Sequence, residues 1–130
     1  MNNLRRAWLV PTMMALVGCG GQSTMDLATT PEESRATLTR SLEAWKGGIS
    51  QKDLATGSPA LFFQDDTYRR GTPLTSYAFE GEGKVVGSGM SYIVNLTLKG
   101  SGEKENKVQR VAYRVVTRPS LAVTREEGIP

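Results

Sequence analysis

Two adjacent carboxylates and a set of tyrosines are the residues of this chain that could carry acid–base chemistry. Asp65 and Asp66 stand side by side, and Tyr68 follows them closely. The other tyrosines are Tyr77, Tyr92 and Tyr113. A carboxylate base beside a phenol donor could move a proton on a small molecule held in a pocket. Adjacent acids at a helix end are more commonly solvated, and no pair here has a spacing that requires catalysis. We therefore name Asp65, Asp66 and Tyr68 as a candidate pocket and expect a non-catalytic protein.

A row of arginines is the second candidate site. Arg110, Arg114 and Arg118 recur at every fourth residue, which places them on one face of a strand because strand side chains alternate. The row could form an anion site or a partner patch, or it could be a solvated face whose cations pair with nearby acids. Those acids are Glu80, Glu82 and Glu126. We favour the pairing, because sixteen Lys and Arg against thirteen Asp and Glu produce no strong basic field.

The composition excludes several other chemistries. The chain has 130 residues, no histidine and one cysteine, which rules out histidine catalysis, histidine metal ligation and an internal disulfide. It contains no phosphate-binding loop, cysteine cluster or basic-aromatic surface of the kind that binds nucleic acid. We therefore expect no metal, no cofactor and no nucleic-acid partner. A length of this size predicts one domain.

The first nineteen residues have the pattern of an export signal. Two arginines precede an uncharged apolar run over residues 7–18, which is too short to span a bilayer. The run ends in Leu16-Val17-Gly18-Cys19. This segment resembles the lipobox of bacterial lipoproteins, in which the cysteine thiol receives a diacylglyceryl group and the leader is cut off before it. The resemblance implies that Cys19 is lipidated and that residues 1–18 are removed.

Location and charge follow from that resemblance. Removal of the leader takes away two cations and no acid, which leaves a net side-chain charge of about +1. Residues 19–30 are small and polar and predict a tether. Gly20, rather than Asp, follows the cysteine, which in lipoproteins favours the outer over the inner membrane. We expect a protein anchored through Cys19 at the periplasmic face of a bacterial envelope membrane, with an unknown protein or small molecule as its partner.

The helical part begins directly after the tether. Thr30 can cap a helix, Pro31 suits its first position and Glu33 completes a capping box. An apolar stripe then recurs at helical spacing until Gly47-Gly48 ends the helix. The stripe is Leu38, Leu42, Trp45 and, at its limit, Ile49. A second short helix is predicted over 58–70, carrying the candidate pocket residues near its end.

The rest of the chain alternates with a period of two. Four strands are predicted between residues 73 and 124, and glycines 81–89 indicate a bulged strand end and a turn. Short connections make the strands antiparallel neighbours. The sequence therefore predicts one α+β domain over 31–125, with a tail over 126–130. In it an N-terminal helix covers one face of a four-stranded antiparallel meander. The inward residues of the two central strands would be Tyr92, Val94, Leu96, Leu98, Val111, Tyr113 and Val115.

This order of elements resembles the cystatin-like and nuclear-transport-factor-2-like superfamily. Some members of the second group transfer protons in a cavity between helix and sheet, which implies an enzyme as one alternative. Cystatins insert two hairpins into papain-like proteases, which implies an inhibitor as another. Val85 and Gly87 match the first cystatin hairpin, whereas Gly83 stands in place of its glutamine and Ser120 in place of the tryptophan that follows proline. We favour a non-catalytic binding or interaction module.

Overall fold

The described part of the chain, residues 29–126 of a computed structural model, forms three helices and five strands. The helices are α1 (Pro31–Lys46), α2 (Gln51–Ala55) and α3 (Asp66–Arg69). The strands are β1 (Leu61–Gln64), β2 (Leu74–Val86), β3 (Gly89–Leu98), β4 (Lys107–Val116) and β5 (Leu121–Glu126). The predicted leader, Cys19 and nearly all of the tether lie outside the described residues, and so do residues 127–130 of the predicted tail.

The predicted start and end of α1 are confirmed. Thr30 caps the helix, because its hydroxyl oxygen accepts the Glu33 N–H at 3.2 Å, and Pro31 takes the first helical position. At the other end the N–H of Gly47 donates to the Glu43 carbonyl at 2.9 Å.

The apolar stripe of α1 faces the sheet and is buried over its first three members, Leu38, Leu42 and Trp45. Ile49 does not continue it. The chain leaves the helix at Gly47 and turns through Gly48, which has a positive φ of 82°, so Ile49 lies beyond the helix with 45% of its surface exposed.

The sheet has five strands in the order β1-β5-β4-β3-β2. Strands β2 to β5 form the predicted antiparallel meander. The prediction of a four-stranded, purely antiparallel sheet is wrong in one respect, because β1 joins the edge beside β5 and runs parallel to it, with Leu61 opposite Leu121. The α+β class is confirmed, and the sheet is mixed.

The predicted helix over 58–70 is replaced by a strand and a single helical turn. Leu61 and Phe63 point into the core while Phe62 and Gln64 are exposed, which is the alternation of a strand. Asp65 follows β1 and caps the four-residue helix α3. The strand buries two large side chains on one sheet face. This stabilises the strand more than a helix over the same residues, because the helix would bury those side chains less completely.

The predicted assignment of the sheet faces is confirmed. The inward residues of β3 and β4 are buried beneath α1, in one cluster with Leu38, Leu42 and Trp45. Arg110 and Arg114 lie on the opposite face of β4, where both are exposed.

Strand β2 contains the predicted bulge. Glu80 pairs with Ile93 and Lys84 pairs with Ser91, so two extra residues of β2 are accommodated between them. A Cβ atom on Gly83 would lie 2.6 Å from the ring of Tyr92, and glycine is therefore required where β2 passes over this ring.

The two ends of the sheet differ in what they carry. The β2–β3 turn, the β4–β5 turn and the start of α1 share one end, which we call the hairpin end. The loop over 99–106, the end of α1 and α3 lie at the other, which we call the loop end. No helix within residues 29–126 is long and apolar enough to cross a membrane.

Candidate functional site

Asp65 lies at the junction of β1 and α3, where its carboxylate is the centre of a buried polar cluster. The side chain is 0% exposed. Oδ1 accepts the backbone N–H groups of Thr67 at 2.8 Å and Tyr68 at 3.2 Å, which caps α3. The same oxygen lies 3.3 Å from Nη1 of Arg125, and Oδ2 accepts the hydroxyl of Tyr113. Four donors therefore surround one carboxylate.

The phenol of Tyr113 is a fixed donor in this cluster. Burial raises the pKa of Tyr113 far above its usual range, and the negative charge of Asp65 and its hydrogen bond raise this pKa further. The guanidinium of Arg125 acts in the opposite direction but more weakly. The phenol consequently keeps its proton at physiological pH and holds the carboxylate in place.

The three candidate pocket residues do not share a pocket. Asp65 faces the core, whereas the side chain of Asp66 is 68% exposed and pairs with Arg69 at 2.6 Å. Asp66 lines an open polar cavity of about 390 Å³, and none of the described tyrosines lines it. Tyr68 lines a different cavity. The structure therefore joins Asp65 to Tyr113 in a cluster that ties α3 to β4 and β5.

Each arginine of the second candidate site has an acidic partner. Arg110 binds Glu80 through two nitrogens at 2.9 Å, and this pair lowers the pKa of Glu80. Arg114 lies 3.4 Å from Glu126. Arg110 and Arg114 thus share the outer sheet face, which favours the interpretation as paired surface charges.

Arg118 lies apart from the other two arginines. It follows β4 and contacts Glu33 of α1 at 2.9 Å, so it ties the β4–β5 turn to the start of the helix. Hydrogen bonds from Thr30 and then from Arg118 lower the pKa of Glu33. The three arginines therefore do not form one patch.

A cavity of about 460 Å³ lies at the loop end, between the end of α1, the α1–α2 connection and α3. We call it the Trp45 cleft. Trp45 and Tyr68 are the buried members of its lining, and their ring centroids lie 5.5 Å apart. Trp45 Nε1 donates to the Thr72 carbonyl at 2.7 Å, and the Tyr68 hydroxyl donates to the Ile49 carbonyl at 2.5 Å. Both rings are held in position because their polar atoms are satisfied within the protein.

The charged residues of the Trp45 cleft all have the same sign. Lys46, Lys52 and Arg69 line it, and no Asp or Glu among the described residues does so. Arg69 also makes the exposed ion pair with Asp66. The lining thus combines two largely buried rings with three cations, a chemistry that would suit a ligand with an apolar body and a negative charge.

Sequence reasoning missed Arg125 and the Trp45 cleft. Arg125 lies on the inward face of β5, two residues after the buried Val123, and an arginine at a core position indicates a buried acid partner. That signal was available in the alternation of β5. The cleft had no comparable signal, because Lys46, Lys52 and Arg69 come from three separate segments.

Both turns that resemble cystatin hairpins lie at the hairpin end. Val85 is 75% exposed there, and Pro119 is exposed in the neighbouring β4–β5 turn. The peptide bond before Pro119 is cis.

Comparison of the chain with known proteins gives no significant match to a protein family, a curated protein or a solved structure. The lipobox, cystatin-like and nuclear-transport-factor-2-like resemblances therefore stay predictions. Within residues 29–126, no group of three or more potential metal ligands lies close enough together to hold a metal ion.

Proposed function

We propose that the chain is a lipid-anchored protein of the bacterial envelope. Its domain binds a small molecule with an apolar body and a negatively charged group in the Trp45 cleft, without transforming it. The leader and Cys19 support the anchor. The proposed binding depends on one observation, which is that two rigidly held aromatic rings share a cavity with three cations and, among the described residues, no acid. We do not propose catalysis, because the only buried carboxylate beside a tyrosine, within the described residues, is Asp65, and its oxygens are already bonded to protein donors.

The size and polarity of the cleft define the ligand class. A volume of about 460 Å³ lies within the range of about 300–1,000 Å³ that small-molecule sites occupy. Trp45 and Tyr68 are only 4% and 7% exposed, so they form a narrow apolar floor rather than a stacking surface, and the rim offers ammonium and guanidinium groups to a carboxylate, sulfonate or phosphate. An aromatic or branched apolar acid satisfies both requirements.

The anchor is tested by cell fractionation and mass spectrometry of the full chain expressed in a bacterium. The wild-type protein should sediment with membranes and begin at an acylated Cys19. Cys19→Ala should leave the protein unlipidated with its leader attached. An intact Met1 on the mature wild-type protein would contradict the anchor.

Ligand binding is tested by intrinsic fluorescence. The sequence has two tryptophans, Trp8 and Trp45, so a chain that begins at Cys19 reports through Trp45 alone. Naphthoate should quench this emission saturably, and neutral naphthamide should bind more weakly. The double substitution Lys46→Gln and Lys52→Gln should weaken naphthoate binding several-fold, since an exposed ion pair contributes about 0.2–1 kcal/mol.

The matched control for that double substitution is Lys104→Gln with Lys107→Gln. It removes the same charge from exposed positions that do not line the cleft, and it should leave naphthoate binding unchanged. Equal loss in both double variants would mean that general charge, rather than the cleft, attracts the anion. Equal affinity for naphthoate and naphthamide would overturn the assignment of the ligand class.

A protease inhibitor of cystatin type is the second candidate function. It is favoured by the exposure of Val85, at the end of β2, and of Pro119, in the β4–β5 turn, because both lie at the same end of the sheet. It predicts that the purified domain inhibits papain and that Val85→Asp abolishes the inhibition. No inhibition at saturating domain concentration would exclude it.

A further inference from the structure

Thr29, the first described residue, is fixed at the hairpin end. It is buried, and its N–H donates to the Ser88 carbonyl at 3.2 Å. Its hydroxyl oxygen accepts the N–H of Thr117 at 3.0 Å. One residue thereby joins the β2–β3 turn to the end of β4, so the chain enters the domain at a defined point of its surface.

The chain length before Thr29 limits how far this end can lie from a lipid anchor. Ten peptide units separate Cys19 from Thr29, and even a fully extended chain of that length spans at most about 36 Å. From this, and resting on the lipid anchor proposed above, we propose that the hairpin end faces the bilayer and that the β2–β3 hairpin contacts its surface through Val85.

The hairpin has the residues that such a contact needs. Val85 is 75% exposed although it pairs with Met90, which is 3% exposed. Lys84 beside it is exposed and can bind lipid phosphate while the valine enters the interface. One valine binds a membrane weakly by itself, but a short tether keeps it at a high effective concentration near the surface.

The opposite end of the domain has a different surface. The loop over 99–106 presents charged and small residues, with Glu103, Lys104 and Glu105 all exposed. Strand β3 has ten residues, which places this loop about 34 Å from the hairpin along the sheet. The proposed orientation therefore directs the Trp45 cleft, at the loop end, away from the membrane.

A protein occupant of the hairpin fits this geometry less well. A globular protease of about 200 residues has a radius of gyration of about 16 Å and a width of roughly 40 Å. That width exceeds the reach of the tether, so such a protein does not fit between the hairpin end and the bilayer.

The test uses the full chain, lipidated in cells and reconstituted in vesicles of phosphatidylethanolamine and phosphatidylglycerol. Cys19 is the only cysteine and its thiol is consumed by the lipid, so one introduced cysteine is the only site for a fluorescent label. The labelled variants are Val85→Cys and Ser120→Cys at the hairpin end, and Ser101→Cys as the matched control at the loop end. All three positions are exposed, so the fold should tolerate each substitution.

We expect nitroxide lipids to quench the label severalfold more strongly at position 85 than at 101, with position 120 between them. Vesicle-bound protein with equal quenching at 85 and 101 would overturn the orientation while leaving the anchor intact. An emission at 85 that is shifted to the blue but not quenched would mean that a second copy covers the hairpin, which also overturns it. Protein that does not sediment with the vesicles would overturn the anchor, and this proposal with it.

Discussion

The inner polar cluster around Asp65 and the ion pairs on the outer sheet face are built from the same residue types. Each joins an arginine to a carboxylate. The carboxylate of Asp65 is 0% exposed, whereas those of Glu80 and Glu126 are 44% and 30% exposed. Water can replace an arginine on the outer face, but it cannot reach Asp65. Burial rather than residue type therefore decides which of these groups the fold depends on.

The largest expected effect is that of Asp65→Ala. It leaves the Tyr113 hydroxyl and two N–H groups of α3 without their acceptor. It also removes the carboxylate partner of the Arg125 guanidinium, which keeps the Thr67 hydroxyl as an acceptor. Removal of one partner from a buried charged pair costs about 3–5 kcal/mol, so the free energy of unfolding measured with urea should fall by that amount. Asp66→Ala removes the adjacent, exposed acid and should change it by less than about 0.5 kcal/mol. Equal effects of the two substitutions would contradict the contrast between the two regions.

An intermediate effect is expected for Tyr113→Phe. The ring stays in the core, and only the hydroxyl that donates to Asp65 is lost. A hydrogen bond to a charged group contributes about 1.5–3 kcal/mol, and urea unfolding should show a loss in that range. Tyr77→Phe is the control, because the Tyr77 hydroxyl bonds the exposed Glu43. If Tyr77→Phe lowers the free energy of unfolding more than Tyr113→Phe does, burial of the hydroxyl does not decide which hydrogen bond contributes more to stability.

A small effect is expected for Arg114→Ala on the outer face. Its contact with Glu126 is 3.4 Å long and exposed, so unfolding free energy should change by no more than about 0.5 kcal/mol. A double-mutant cycle with Glu126→Gln measures the pair directly. A coupling energy above about 1 kcal/mol would show that the outer face contributes to stability as the inner cluster does.

The smallest effect on the free energy of unfolding at neutral pH is expected for Glu43→Gln. A difference from the wild type should become visible only at alkaline pH. Burial, and then the hydrogen bond and charge of Glu43, raise the pKa of Tyr77 to about 12 from an ordinary value of 10.0. The folded state therefore favours the protonated phenol. The stability gained from this is complete below pH 10 and is lost as the pH rises through 12.

Ultraviolet absorbance titration of tyrosinate tests this statement. In Glu43→Gln the pKa of Tyr77 should fall, yet stay above the ordinary value because burial remains its largest cause. Glu80→Gln removes an exposed acid that bonds Arg110, and its tyrosine titration should match the wild type. An unchanged titration curve in Glu43→Gln would exclude the role of Glu43.

The parts of the fold that depend on local chemistry could be predicted from the sequence. Thr30 and Pro31 fix the start of α1, and the long alternation in β3 and β4 fixes which face is buried. Strand β1 could not be predicted in the same way. It has only four residues, and its partner β5 lies far away in the sequence, after β2, β3 and β4. Its short apolar run is therefore compatible with a helix until that partner is known.

The candidate sites follow the same division. The pairing of Arg110 with Glu80 was among the expected interpretations, because both residues lie on predicted strands. The partnership of Asp65 with Tyr113 spans 48 residues and depends on the unpredicted β1. The Trp45 cleft forms where the C-terminal end of α1 lies close to α2 and α3. No periodicity in the sequence indicates that these three segments are neighbours.

The bulge in β2 has a consequence for crowding. Strand β2 is thirteen residues long and forms an outer edge of the sheet, and a straight edge of that length would be a template for the same strand of a neighbouring molecule. The two extra residues between Glu80 and Lys84 interrupt its register, and the charges of Glu80, Glu82 and Lys84 flank the interruption. Copies confined to a two-dimensional surface collide far more often than copies in solution. Under the proposed lipid anchor, an edge built in this way would let copies accumulate side by side on the membrane without polymerising into ribbons.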